Sequence, residues 1–214
     1  MVEFPEAQRD IFSSSVQQAV VVVRPGKKET TSGAGFILSA SGLIITAAHV
    51  VGDSSRVRIK RCGLEPLSWK TRATGRYTAD VIAAFRGADV AALRLRKTPK
   101  RLRPVNIAAE AEAPIGTAVL RVGNDDRRLA SGHVIGSDRH NRYPTIKISM
   151  DTAPGASGGP LFSFHERSLL GMVIEYDHDR KMPGVGYALP IAEILRLIRQ
   201  RKAVRELLPK NLRQ

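Results

Sequence analysis

From Val16 onward the chain is a succession of short apolar or β-branched runs, each cut off by Gly, Pro, Asp or Asn. This is the pattern of many short antiparallel strands. "QQAVVVVRPG" runs as a strand into a turn, "GAGFILSASGLIITAAHV" as a hairpin around Ser39 to Gly42, and "SRVRIKR" alternates cleanly. Further runs occur at Asp89 to Leu95, Ala118 to Val122, Gly132 to Gly136, Thr145 to Met150, Leu169 to Tyr176 and Gly186 to Leu189. Roughly a dozen strands imply two packed barrels or a large sandwich. Only the end changes period: in "PIAEILRLIRQRKAVRELL", Ile191, Ile194, Leu195 and Ile198 fall at helical spacing behind Pro190, which predicts one C-terminal amphipathic helix.

A chain of 214 residues accommodates one large all-β domain or two halves of about 100 residues. Six of the ten residues from Arg94 to Arg103 are basic, with Pro99 among them, and the linker is placed there. The expected organisation is an N-terminal segment (1–15), a first barrel (16–96), a basic linker (97–111), a second barrel (112–190) and a basic helix and tail (191–214). No repeat of 20 to 50 residues is visible, which excludes solenoids.

With 34 Lys+Arg against 20 Asp+Glu, the net charge is +14. Such a balance permits attraction to nucleic acid, acidic proteins or anionic lipid without choosing among them. The single cysteine, Cys62, excludes an intrachain disulfide and suits a reducing compartment. The start, "MVEFPEAQRD", lacks the basic patch and apolar run of an export signal, and no apolar run is long enough to span a bilayer. A cytoplasmic location is the expectation. His133, His140, His165 and His178 lack ligands at metal spacing, so neither metal nor cofactor is expected.

"DTAPGASGGP" (151–160) surrounds Ser157 with residues that bend a backbone and carry little or no side chain. A serine hydroxyl is hardly ionised at neutral pH and needs a base to act as a nucleophile. His49, among the small alanines of "LIITAAHVVG", ends an apolar strand run with its ring accessible. The imidazole in turn needs a carboxylate, and Asp89, the lone acid ahead of the apolar run in "GADVAALRL", fits. "GAG" at Gly33 to Gly35 is too short for a phosphate loop and reads as a strand bend.

"TAAHV", "DVAALRL" and "GASGGP", in the order His, Asp, Ser, resemble the chymotrypsin-like serine proteases. "GAGFILSASGLIITAAHVV", "VGN", "SGHVIG" and "GVGYALPI" resemble the bacterial Deg-type branch over roughly residues 16 to 200. The resemblance implies an all-β double antiparallel barrel with a C-terminal α-helix. It further implies a serine endopeptidase with His49, Asp89 and Ser157 as its triad and the N–H groups of Gly155 and Ser157 as its oxyanion hole. Ala156 stands where pancreatic-type enzymes carry an activating aspartate and Deg-type enzymes usually an asparagine, so activation by N-terminal cleavage is not expected.

By the same resemblance, Asp151 lies six residues before Ser157, where trypsin-like enzymes hold the aspartate that selects Lys or Arg. It is also readable as a strand-end aspartate satisfied by turn amides, the reading its position favours. Ile174, Glu175, Tyr176 and Gly184, with Gly171, fall where pocket walls and the substrate-pairing strand lie, although strand and turn positions account for each without a function. After Pro190, 24 residues follow in this sequence, and no PDZ module is expected in them. Phe4, Ile11 and Phe12 offer an apolar N-terminal surface for packing against a neighbour, and the oligomeric state stays open. The partner is a protein or peptide substrate; the basic linker and helix are either solvated surface or a dock for an acidic partner or nucleic acid. From a different class, the alternative is a catalytically silent barrel that binds a peptide or polyanion.

Overall fold

In a computed structural model of the chain, the alternation of "SRVRIKR" becomes β4 (Arg56–Arg61), with Val57 and Ile59 buried and Arg56, Arg58 and Lys60 exposed. The structure describes residues 16, 18–26, 32–61, 76–107, 113–122, 129–150, 155–174 and 184–213. Strand β4 belongs to a first barrel with β1 (Val20–Arg24), β2 (Gly33–Ile37), β3 (Leu43–Thr46), β5 (Arg76–Phe85) and β6 (Val90–Leu95). It closes in the order β1-β2-β3-β6-β5-β4, every pair antiparallel.

The second barrel consists of β7 (Ala118–Val122), β8 (Leu129–His140), β9 (Tyr143–Ile148), β10 (Pro160–Ser163), β11 (Leu169–Ile174) and β12 (Gly186–Pro190). Its closed order, β10-β11-β12-β9-β8-β7, repeats the pairing scheme of the first. Closure leaves no free sheet edge. The fold is therefore the expected all-β double barrel followed by a C-terminal helix.

Two strands escape a reading of hydrophobic alternation. Most of β5 is half-buried on both faces, and a register shift at Val81/Ala83 interrupts its pairing with β6. The four-residue β10 begins with a proline, which is tolerated at a strand start.

The expected single terminal helix is two: α2 (Ile191–Ile198) and α3 (Lys202–Arg205), with Arg201 extended between them. A short helix, α1 (Ala48–Val51), precedes them. Ile191, Ile194, Leu195 and Ile198 are buried as their spacing predicts. The break lets the chain turn so that Val204 and Leu208 also bury in the main core. Ser41 Oγ donates to Leu207 O at 2.6 Å, and Arg201 lies over the Phe85 ring, both fastening the tail to the first barrel. Arg199 and Arg213 donate to the carbonyls of Leu212 and Leu208, so part of the tail's basic charge serves its own backbone. No helix among the described residues is long and apolar enough to cross a membrane.

One core fills the first barrel, the face between the barrels and α2, and a smaller one fills the second barrel. In the stretch between the barrels, Val105 N–H donates to Ile37 O at 2.9 Å, while Asn106 O accepts from Leu169 N–H at 2.8 Å. The crossing chain is thus bonded to both sides.

Candidate active site

His49 lies on α1 rather than at the end of β3, which stops at Thr46. The residue ahead of α1, Ala47, has no side chain able to cap a helix, and Asp89, just ahead of the neighbouring strand β6, supplies the cap. Asp89 O accepts from Ala48 N–H at 3.1 Å and Asp89 Oδ1 from His49 N–H at 2.9 Å. The other carboxylate oxygen, Oδ2, is 2.8 Å from His49 Nδ1. A carboxylate only accepts, so Nδ1 carries the proton and Nε2 is left as the basic nitrogen. Asp89 has φ 55 and ψ 42, a left-handed conformation that aspartate tolerates better than most residues. Its side chain is 12% exposed against 39% for His49, which places the acid beneath the ring.

Ser157 lies in a turn whose glycines do more than bare its hydroxyl. Ser157 O accepts from Ala34 N–H of β2 at 2.9 Å, and Gly158 N–H donates to Val173 O of β11 at 2.8 Å. Gly158, at φ 83, presses its Cα against the first barrel. A Cβ there would collide with Ala34 O and lie 2.6 Å from Thr46 Oγ1 and 2.8 Å from Ala47 N. The missing side chain therefore serves the contact between barrels rather than an open approach to the serine.

Gly33 is explained the same way. A Cβ on it would meet the Val50 methyls and, at 3.0 Å, Ser157 O, so close approach and not a strand bend accounts for that glycine. Val50 and Ala47 flank His49 in sequence, and Gly158 follows Ser157. The structure thus packs the backbone around the serine onto the backbone around the histidine. Gly155 has φ 87, as a residue that must turn its amide requires, and neither its N–H nor that of Ser157 has an acceptor among the described residues.

The model of the trypsin-like peptidase domain family matches residues 33–172, which span β2 to β11. The chain belongs to the trypsin-like peptidase domain family. Among relatives, it is 27% identical over 210 residues to a "probable periplasmic serine endoprotease DegP-like" of Ectopseudomonas mendocina, covering 93% of this chain and 41% of that protein. It is 30% identical over 172 residues to "Protease Do-like 1, chloroplastic" of Arabidopsis thaliana, covering 75% of this chain and 37% of that one. The chain thus spans well under half the length of these relatives. A solved serine endoprotease from Yersinia pestis shares the fold, with a TM-score of 0.74 at 22% identity, over 94% of this chain and 67% of that one.

Within this trypsin-like frame the residues expected around a substrate pocket separate. Ile174 is 1% exposed, and with Met172 it joins the core between the barrels. Gly171 is a strand glycine whose Cβ would collide with Leu189 O, so contact between β11 and β12 requires it. Gly184 is exposed at φ 75, just ahead of β12. Asp151, Glu175 and Tyr176 lie outside the described residues, as do Cys62 and His178. Among the described residues no group of three His, Cys, Asp or Glu side chains is placed to hold a metal. Nothing in the sequence marks Ala34 and Thr46 beyond their places in the "GAG" and "TAAH" motifs.

Proposed function

We propose that the chain is a serine endopeptidase that hydrolyses peptide bonds through an acyl-enzyme. His49 Nε2 takes the Ser157 Oγ proton as the hydroxyl oxygen attacks the substrate carbonyl, forming a tetrahedral adduct with a negative oxygen. The imidazolium returns that proton to the leaving amine as the C–N bond breaks. Water, deprotonated by the same nitrogen, then releases the acyl group and restores the serine. Asp89 holds the Nδ1–H tautomer and stabilises the cation through Oδ2. The N–H groups of Gly155 and Ser157 receive the oxyanion, where one donor in a comparable site lowers the barrier by about 3 kcal/mol.

The single observation carrying this reading is the 2.8 Å pairing of His49 Nδ1 with Asp89 Oδ2, which leaves a basic nitrogen on the side chain whose helix abuts the Ser157 turn. Peptide-library cleavage and labelling by a fluorophosphonate test it together. Wild-type protein is expected to cut peptides and to take up the label at Ser157, while Ser157→Ala does neither. Absence of both cleavage and labelling in the wild type would overturn the assignment.

A further inference from the structure

Arg121 of β7 is a buried cation with no counterion among the described residues. It lies directly opposite Leu161 of β10 and Ala130 of β8. Leu161 belongs to the core of the second barrel, as does Val119 two residues earlier on the same strand, and Ala130 packs against that core. Directly opposed residues of an antiparallel pair project to one face, so the Arg121 side chain enters the barrel interior. The residue is 6% exposed, and its Nε has no hydrogen-bond partner among the described residues. Burial pulls the pKa of the guanidinium below the ordinary arginine value, yet the group stays protonated.

The described acids of this half do not compensate it. Asp138, Glu166 and Glu206 are exposed, and Glu193 is held by Arg196. An isolated buried charge is costly unless something of opposite sign arrives.

The location indicates what arrives. The next residue, Val122, presents its carbonyl 2.7 Å from where a Cβ on Gly159 would stand. Val173, which opposes the second-barrel core residue Ala188, exchanges backbone hydrogen bonds with Gly158 and Gly159. Arg121 therefore stands at the end of β7 that meets the serine turn, with its side chain on the interior face of the barrel. Resting on the protease reading above, we infer that Arg121 is the charged floor of the site receiving the substrate side chain just before the cleaved bond, and that it selects a carboxylate, Glu or Asp. A guanidinium binds a carboxylate through two parallel N–H···O bonds, and here the substrate's acid neutralises a charge that no described acid pairs. Lys and Arg are rejected by like charge. This is the opposite preference from the one a carboxylate at Asp151 would impose.

Four fluorogenic peptides that differ only at that position, carrying Glu, Gln, Val or Lys, decide between them. Wild-type protein is expected to cleave the Glu peptide at least tenfold better than the isosteric Gln peptide, measured as kcat/KM, and to cleave the Lys peptide least. In Arg121→Met the Glu:Gln ratio should fall to about one, and in Arg121→Lys it should keep an intermediate value. If Arg121→Met does not fold, the wild-type ratio and Arg121→Lys carry the test. A wild-type preference for Lys, or an unchanged ratio in either variant, overturns the inference. Fluorophosphonate labelling of wild-type Ser157 separates the two readings: labelling with no acid preference removes this inference alone, and no labelling removes both.

Discussion

Asp89 directs both of its carboxylate oxygens at one residue, holding His49 by its backbone N–H at 2.9 Å and by its ring Nδ1 at 2.8 Å. The same acid therefore starts the helix on which the histidine rides and sets the proton on its ring. A shift of α1 that broke one contact would break the other, which couples local stability to the orientation of the base.

The two roles come apart in two variants. Asn in place of Asp89 still offers an oxygen to the His49 N–H and tolerates φ 55, but an amide opposite Nδ1 favours the wrong tautomer. Asp89→Asn should keep a near wild-type urea midpoint while kcat for peptide hydrolysis drops by about 10⁴, the loss seen when comparable triads lose their acid. Asp89→Ala loses the cap and strains the left-handed position as well. It should cost about 2 kcal/mol in urea unfolding in addition to the same kinetic loss. Equal stability of the two variants would argue against the capping role.

Gly158 is expected to be the least replaceable glycine of the serine turn. Gly158→Ala places a methyl against Ala34 O, Thr46 Oγ1 and Ala47 N at a positive φ. The combined overpacking and backbone strain should destabilise the fold by about 3 kcal/mol and abolish hydrolysis. Gly116 has a similar φ of 90 with nothing within 4 Å of an added Cβ, so Gly116→Ala should cost only about 1 kcal/mol. Urea midpoints of the two variants make the comparison.

The parts of the molecule legible in the sequence are those where one residue's chemistry or one-sided burial determines the answer. His49 and Asp89 were found because a serine nucleophile needs a base and the base an acid, and they do meet. Strands such as β4 were found because one face is dry and the other wet. Strand β5 was not, because half-burial on both faces erases the alternation. The two-residue reach from Gly158 to Thr46 and Ala47 depends on packing between distant segments, which no local pattern encodes. Arg121 is hidden for a similar reason: an arginine in "AVLRV" reads as a solvent-facing strand residue, and only the register against Leu161 shows it turned inward.

The C-terminal segment should behave as part of the first barrel and not as a detachable tail. Leu208 is 1% exposed and Val204 fully buried, both within the main core. Leu208→Ala should therefore lower stability by about 3 kcal/mol, whereas truncating the exposed Arg205 to Ala should change it by less than about 0.5 kcal/mol. Chemical denaturation of the full chain distinguishes these values, and similar small effects for both would mean that the tail does not stabilise the barrel.

On the outer face of the first barrel, like charges stand directly opposite one another: Arg24 faces Arg58 across β1 and β4, and Lys60 faces Arg76 across β4 and β5. The described acid on this face, Asp80, is already engaged by Arg56 at 3.1 Å and approached by Arg96 at 3.7 Å. Directly opposed like charges destabilise an antiparallel pair, and an opposite-charge pair stabilises it, each by a few tenths of a kcal/mol. Lys60→Glu should accordingly raise stability by about 0.5 kcal/mol at low salt. Both partners are exposed, so the gain should shrink as ionic strength rises toward 1 M and the screening length falls to about 3 Å. Urea unfolding of wild type and Lys60→Glu across a salt series measures this. A gain that persisted undiminished at high salt would mean that packing or strand propensity, and not charge, is responsible.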